Sequence, residues 1–321
     1  MKNIKRRQFL TLTAMGTASL ATYGKYSSLI FKENPEHKEI YHFKIGEFNC
    51  INFNTGYHDY SVSSFFNGMP ADQIQMELGL SEPPETVKST YACIFIDTGK
   101  NRILIDSGIG TYFETPDRLQ KYLLHENIPK ESINTIIITH AHSDHIAGLL
   151  DENGNASFPN ARYYSSKDEW DFFKTDEAFQ KAKEDYPDLA ISPLACKIYE
   201  IIKSKLSYVE PDKEIIPGIK VIDARGHTPG QLAVIVSSFN DKLIYISDVV
   251  FHPLHLKYPD LLPAQRYMFD PVEYKKTKRR IFDLATDDNM LVSAMHFYPP
   301  PSLGYVKRKG NGWEWIPIIE D

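Results

Sequence analysis

The amino-acid pattern predicts an α/β protein in which sheets are sandwiched between helices. Three observations carry that expectation. Short apolar runs such as Ile136-Ile137-Ile138 alternate with segments that read as helices. Polar turns of hairpin type, Thr98-Gly99-Lys100-Asn101 and Phe239-Asn240-Asp241, interrupt the alternation. Histidines and aspartates also recur at the ends of the apolar runs. Strands and helices in alternation, with hairpins interspersed, argue against a pure barrel or bundle.

The first residues read differently from the rest. Lys2, Lys5, Arg6 and Arg7 form a positive head, and Phe9 to Ala21 is a short apolar run broken by threonines and Gly16. Residues 1–24 are therefore expected to be an export leader, and Arg6-Arg7-Gln8-Phe9-Leu10 resembles the twin-arginine type. The run is too short to span a bilayer stably. A periplasmic or secreted location follows as an expectation, with residues 25–321 forming a single domain.

Lys38 to Cys50 alternates as an opening strand or hairpin should. Asn54 to Glu85 is rich in Gly, Ser, Pro and aromatics, with a short helix expected over Ala71 to Leu80. It reads as an aromatic lid or as a self-packed surface loop, with too little periodicity for a sheet interior. Tyr91 to Asp97 and Arg102 to Ile105 are expected strands, the second ending in Asp106-Ser107-Gly108-Ile109-Gly110. Thr115-Pro116 caps a helix through His125, because proline at the first turn lacks only an orphan amide hydrogen. Ile133 to Thr139 is the next strand, and Ile146 to Leu150 opens a helix.

Ala161 to Tyr164 leads to Ser166 and Glu169 at capping-box spacing, so a helix starts near Lys167 and carries Trp170, Phe172 and Phe173 toward a core or pocket. Leu194 to Leu206 reads as another helix. Ile219 to Asp223, Leu232 to Ser237 and Lys242 to Ser247 read as strands. Asp270-Pro271 starts a long helix through Ala285, and Met290 to Ala294 is read as the final apolar strand.

Composition limits the partners. The chain has 321 residues, 42% of them hydrophobic, enough for one large core or two small ones. Its 36 basic and 42 acidic residues give a net charge of -6, which offers no basic face for a nucleic acid. Cys50, Cys93 and Cys196 show no Cys-x-x-Cys spacing, which argues against a thiolate zinc site or a disulfide scaffold.

The chemistry concentrates in Thr139-His140-Ala141-His142-Ser143-Asp144-His145, with three imidazoles and a carboxylate at the end of an apolar run. Ligands crowded there can hold two metal ions side by side, and such ions make water a nucleophile at neutral pH. Distant partners occupy similar positions: Gly226-His227-Thr228-Pro229-Gly230, Ser247-Asp248 and Met295-His296. Asp106, a carboxylate at a strand end, either accepts a proton from a ligand imidazole or caps its own turn. His252 is expected to line the pocket or support a ligand; the plainer reading is an incidental loop histidine. His37, His42, His58 and His125 lie outside the pattern and are expected to be solvated.

Residues 139 to 148, with Gly226-His227-Thr228-Pro229-Gly230, Asp248 and His296 in order behind them, resemble the signature of the metallo-beta-lactamase superfamily. Ile105-Asp106-Ser107-Gly108, Phe158-Pro159-Asn160-Ala161 and Phe269-Asp270-Pro271 are similar to its branch of acyl-homoserine lactonases and methyl-parathion-hydrolase-like enzymes. The chain departs from that branch at Gln231, where histidine is usual. The resemblance implies an αββα sandwich of two mixed sheets flanked by helices, and it implies a homodimer. It places His140, His142 and His227 around one divalent ion and Asp144, His145 and His296 around the other, with Asp248 bridging. Zinc is the expected metal.

The implied activity is hydrolysis of a small ester or lactone by a hydroxide shared between the ions, with Asp144 and Asp248 as catalytic carboxylates. N-acyl-homoserine lactones lead as substrates, which would make the chain a quorum-quenching enzyme. A phosphotriesterase or arylesterase is one alternative, and a di-iron redox protein on the same fold is the other. Phe65, Phe66, Met69, Trp170, Phe173 and Tyr298 are expected to line the substrate pocket.

Overall fold

The computed structural model describes residues 39–111, 117–174 and 191–318. The expected leader, His37 and the Thr115-Pro116 cap lie outside the described residues. Strand β1 (Ile40–Ile45) turns back onto β2 (Phe48–Ser61), which pairs in turn with β3 (Thr86–Asp97). The pairing of β2 with β3 continues to Ser61↔Thr86 past a register shift between Asn54 and Tyr57. Asn54 to Ser61 is therefore strand, where the sequence suggested lid or loop. The irregularity around Thr55 and Gly56 breaks the period-two pattern, and the neighbouring strand supplies the order that the pattern hides.

The first sheet runs in the order β1-β2-β3-β4-β5-β6-β7. Its later members are β4 (Arg102–Ile105), β5 (Thr135–Ile137), β6 (Arg162–Ser166) and β7 (Leu206–Val209), and the pairs from β4 onward are parallel. The second sheet begins with β8 (Glu214–Ile216), β9 (Ile219–Asp223), β10 (Leu232–Ser238) and β11 (Asp241–Tyr245). It continues with β12 (Leu291–Ser293), β13 (Leu303–Lys309) and β14 (Gly312–Pro317). Only β11 and β12 run parallel there, so both sheets are mixed. The strand over residues 290–294 is thus not the last. Lys307-Arg308-Lys309 give β13 a charged, exposed end that masks the strand pattern, a common device near a sheet edge.

The helices are α1 (Val62–Phe65), α2 (Ala71–Leu78), α3 (Arg118–His125), α4 (Ser143–Ile146), α5 (Lys167–Phe173), α6 (Ile191–Ile202), α7 (Leu254–Lys257) and α8 (Pro271–Asp287). Asp117 caps α3 by accepting the Gln120 amide, and Asp270 caps α8 by accepting those of Val272 and Glu273. Helix boundaries near residues 146 and 202 depart from expectation. The helix near residue 146 starts at Ser143, and α6 ends at Ile202 so that Leu206 opens a strand.

Side-chain alternation builds the layers. In β4, Ile103 and Ile105 face the second sheet, where they meet Val221, Val234 and Tyr245. Leu104 points the other way, into a core shared with Leu119 and Leu123 of α3 and Ile198 of α6. On the far side, Ile281 and Phe282 of α8 pack on Ile235, Ile244 and Val292. Helix, sheet, sheet, helix is therefore the order of layers, as expected. Both faces of both sheets are covered, which accounts for the near-continuous apolar runs in β4, β5 and β12.

A fourth cluster joins α1 and α2 to the rest. Phe65, Phe66 and Ile74 pack with Phe251, Leu254, Met268 and Tyr274. The Asn67 amide donates to Leu262 O at 3.1 Å and the Ala264 amide to Ser64 O at 2.9 Å, which ties this segment over one edge of the sandwich. At that same edge β4, β5, β11 and β12 reach their C-terminal ends. No helix among the described residues is long and apolar enough to cross a membrane.

Candidate metal centre

Each strand end contributes a polar group as it leaves the sheet. Asp106 follows β4 with φ 57°, a left-handed conformation that aspartate tolerates better than most residues. Beyond β5 the chain peels away, and residues 138–142 become the ligand loop. This is why the apolar run expected to be strand through Thr139 pairs only to Ile137. Asp248 lies just after β11 and His296 just after β12. His227 sits in the turn between β9 and β10. Gly226 adopts φ +133° there, and a Cβ would lie 2.5 Å from the Tyr274 backbone. Only glycine fits that close approach.

The structure brings all of the expected ligand side chains together. Ligand atoms of His140, His142, His227 and Asp248 lie within 4.8 Å of one another, as do those of Asp144, His145 and His296. Asp248 joins the two groups. Its Oδ2 is 3.3 Å from His227 Nε2 and 3.1 Å from His296 Nε2, and its Oδ1 is 2.9 Å from His145 Nε2. All are buried except Asp144, whose side chain retains 15% exposure.

Hydrogen bonds to the outer ring nitrogens set the tautomers. His145 Nδ1 donates to Asp106 Oδ2 at 2.7 Å, His227 Nδ1 to Tyr267 O at 2.6 Å, and His296 Nδ1 to Thr90 O at 3.0 Å. His140 Nδ1 lies 3.3 Å from the hydroxyls of Thr139 and Ser247. In each case Nε2 is left facing inward, and that of His296 meets Asp248 Oδ2 at 3.1 Å. His142 differs, presenting Nδ1 at 2.9 Å from His227 Nε2.

These residues fit a pair of cations. His140 Nε2, His145 Nε2 and Asp248 Oδ1 are buried without a hydrogen-bond partner, since the short His145–Asp248 approach is not aligned as a hydrogen bond. Orphaned polar atoms are costly in an interior, and here all three are metal-ligating types aimed into one space. Electrostatics divides the five imidazoles. Burial pushes His140, His142 and His227 below the ordinary imidazole range, toward the neutral form that binds metal. Burial acts the same way on His145 and His296, but the surrounding carboxylates, Asp248 foremost, outweigh it and hold both above the usual value. For Asp248 burial is opposed by His296, His145 and His140, which keep its carboxyl well below the usual range.

The supporting residues divide. Asp106 holds His145 and also accepts the Thr139 amide at 2.9 Å and the Thr139 hydroxyl at 2.7 Å. His252 instead accepts the Leu254 amide at 3.1 Å, and its ring meets that of Phe66 at 5.0 Å. It is part of the packing beneath α1. The neighbouring His255 contacts Phe65 O through Nε2 at 2.6 Å and accepts the Phe251 amide through Nδ1. His42, His58 and His125 are exposed, with His42 3.1 Å from Glu126.

The expected pocket residues are spread across several layers. Phe173 stands edge-on to His142 at 5.9 Å. Phe65 stacks on Tyr60 at 4.8 Å and on Phe251 at 5.5 Å, one layer back from the ligands. Phe66 is turned toward His252 and His255. Met69 is partly buried against the same cluster, and Tyr298 meets Tyr57 at 6.0 Å. Trp170 is a core residue, its ring 3.8 Å from that of Tyr199, so its bulk goes to packing between α5 and α6.

The roles of three residues near the centre escaped sequence reasoning. Phe251 lies between two ligands, its ring 5.5 Å from that of His227 and 5.3 Å from that of His296. Gln231 is buried, and with its amide oriented to satisfy its neighbours it accepts the amides of Asp248 and Val249 at 3.2 and 3.3 Å. Glu169 shows the capping bond expected of its spacing, its amide donating to Ser166 Oγ at 3.1 Å, but its carboxylate goes elsewhere. A charged residue set apart from the polar face that Lys167, Asp168 and Asp171 give its helix is the only signal the sequence offers for that role.

Comparison with known proteins supplies a context. A family model described as the metallo-beta-lactamase superfamily matches residues 89–293. An N-acyl homoserine lactonase of Bacillus sp is 24% identical over 176 residues, covering 49% of this chain and 62% of that protein. One from Bacillus cereus is 23% identical over 175 residues, covering 48% and 61%. The matched segments thus span less than two thirds of either relative. Among solved structures, the dizinc quorum-quenching lactonase AidC, in complex with a product, superposes with a TM-score of 0.79 at 26% identity. That match covers 88% of this chain and 98% of AidC. The hydrolase AbOPH gives a TM-score of 0.77 at 24% identity, with the same coverage.

Proposed function

The chain belongs to the metallo-beta-lactamase superfamily, and from that membership we propose that it is a metal-dependent hydrolase that opens lactone rings, N-acyl-homoserine lactones first among them. The observation that carries this reading is the convergence of seven ligand-type side chains from both sheets, with three of their atoms buried and otherwise unpaired. The likeness to AidC, over nearly the whole of that protein, favours a lactone over other esters.

His140, His142 and His227 would hold one ion, Asp144, His145 and His296 the other, and Asp248 would touch both. Zinc suits this set of imidazole nitrogens and carboxylate oxygens. When bound, the pair supplies a nucleophilic water at neutral pH and polarises the substrate carbonyl. The chain's own residues do the rest. Phe251, backed by Phe65 and Tyr60, walls one side of the centre with apolar surface, and Phe173 does so beside His142. Asp144 is the most exposed of the ligating groups, with Oδ2 3.7 Å from His296 Nε2. It is placed to take the proton released by the attacking water and return it to the ring oxygen as the acyl bond breaks. We also propose a homodimer, and export of the precursor directed by the Arg6-Arg7 leader.

The test is a pH-stat hydrolysis screen of homoserine lactones with varied acyl tails, run beside simple γ- and δ-lactones and an aryl phosphotriester, with and without chelator. Chelator-sensitive opening of homoserine lactones, rising with tail length, is the expected result. Cleavage of the phosphotriester alone would reassign the substrate, and turnover by metal-free protein would overturn the reading.

A further inference from the structure

We propose that Glu169 is a positioning residue that sets the spacing of the first ion's imidazoles by clamping together the two loops that carry them. The inference rests on the metal centre proposed above and concerns a residue outside the ligand set.

Glu169 lies in the first turn of α5 and is fully buried. Its Oε1 accepts the amide of Ala141, the residue between His140 and His142, at 2.9 Å. Its Oε2 accepts the Thr228 hydroxyl at 2.7 Å and the Gly230 amide at 3.0 Å, and Thr228 directly follows His227. One carboxylate therefore holds both loops, one leaving the first sheet and the other turning within the second. The contact is tight. A Cβ on Gly230 would lie 2.2 Å from the Glu169 amide nitrogen and 2.2 Å from Ser166 Oγ, so the loop is pressed against the start of α5.

All three partners are neutral donors; burial raises the Glu169 carboxyl to about 7, while these three donors favour the ionised form, which can accept from both directions at once. Glutamine would offer an acceptor to one loop and set an NH2 group against a donor of the other. The clamp acts on one half of the centre. His142 and His227 approach to 2.9 Å across it, whereas His145 and His296 are oriented separately by Asp106 and Thr90. Loss of the clamp should therefore weaken the first position and spare the second. A residue needed only for folding would instead weaken both together.

The experiment compares wild type with Glu169→Gln and Thr228→Val, the latter removing one donor while keeping a β-branched side chain. Metal-depleted full-length protein is titrated with Co2+, read by visible absorption, and with Zn2+ against a competing chelator. Bound metal is counted after dialysis, and thermal unfolding of the apo-proteins is recorded. Wild type is expected to take up two ions. Glu169→Gln should show one affinity lowered about 10- to 100-fold, the range typical of residues that orient metal ligands, with the other affinity and the apo melting temperature little changed. Thr228→Val should shift the same affinity by a smaller factor. Two affinities unchanged in both variants, or falling in step with apo stability, would overturn the clamp while leaving the metal centre standing. A wild type that binds no ions would overturn both.

Discussion

Asp106 and His145, 39 residues apart in the chain, meet in the interior with Oδ2 2.7 Å from Nδ1. The same oxygen lies 2.7 Å from the Thr139 hydroxyl and 3.0 Å from that of Tyr245. A side chain that ligates nothing therefore connects β4, β11 and the ligand loop.

Asp106→Asn tests that connection with little backbone disturbance, since asparagine also tolerates the positive φ at this position. The carboxamide must turn its NH2 toward either the Thr139 amide or the groups around Oδ2, all of which now act as donors. Affinity for the second ion should fall about 10- to 100-fold, and activity should return in excess zinc. An unchanged zinc requirement would remove Asp106 from the metal's support.

Complete removal of metal with a strong chelator should abolish hydrolysis and lower the melting temperature, because the ligand atoms would then lie buried without partners. Two equivalents of zinc per chain should restore both, as read by activity and by metal analysis of the dialysed protein.

Asp144→Asn probes proton transfer. A carboxamide retains an oxygen ligand but does not shuttle a proton at neutral pH. Turnover is expected to fall by roughly 100-fold or more with two ions still bound. Wild-type turnover in the fully metallated variant would exclude the role.

Gly226→Ala places a methyl group 2.5 Å from the Tyr274 backbone at a φ of +133°. Backbone strain alone costs about 1–3 kcal/mol, and relief would come from shifting the turn that carries His227. A lower melting temperature together with loss of one bound ion is the expected outcome; full metal content at wild-type stability would contradict it.

Lys278 gives a pH signature away from the centre. It is fully buried, its Nζ donates to Leu261 O at 3.0 Å, and burial pushes its pKa down to about 7. Between about pH 7 and the ordinary lysine value of 10.5 the unfolded chain holds a proton that the folded chain has released, so this group makes stability rise with pH across that window. Lys278→Met removes the effect. Its melting temperature should exceed that of wild type most at pH 6.5, with the gap narrowing or reversing by pH 9.5 as the cost of the unpaired Leu261 carbonyl remains. A gap independent of pH would refute the assignment.

Much of the centre was legible because its signals are local. The ligands at 140, 142, 144 and 145 share one turn, and the partners at 227, 248 and 296 each follow an apolar run. Phe251 was not legible in the same way: it faces His227 and His296 only because the residues after Asp248 fold back beneath α1. Trp170 points in the opposite direction. Its aromatic bulk suggested a pocket, but Tyr199, on a helix more than twenty residues away, claims the ring for the core.

The chain's chemistry, its layered α/β character and the identity of its candidate ligands followed from sequence by itself, because strand periodicity, turn residues and ligand spacing are properties of neighbouring residues. Tertiary structure alone decided which oxygen orients which imidazole, that Glu169 spans two loops, and that Gln231 supports the Asp248 turn. Those relationships arise where two sheets pack against each other, and a hydrogen bond across that packing depends on how the layers meet, which no stretch of chain carries by itself.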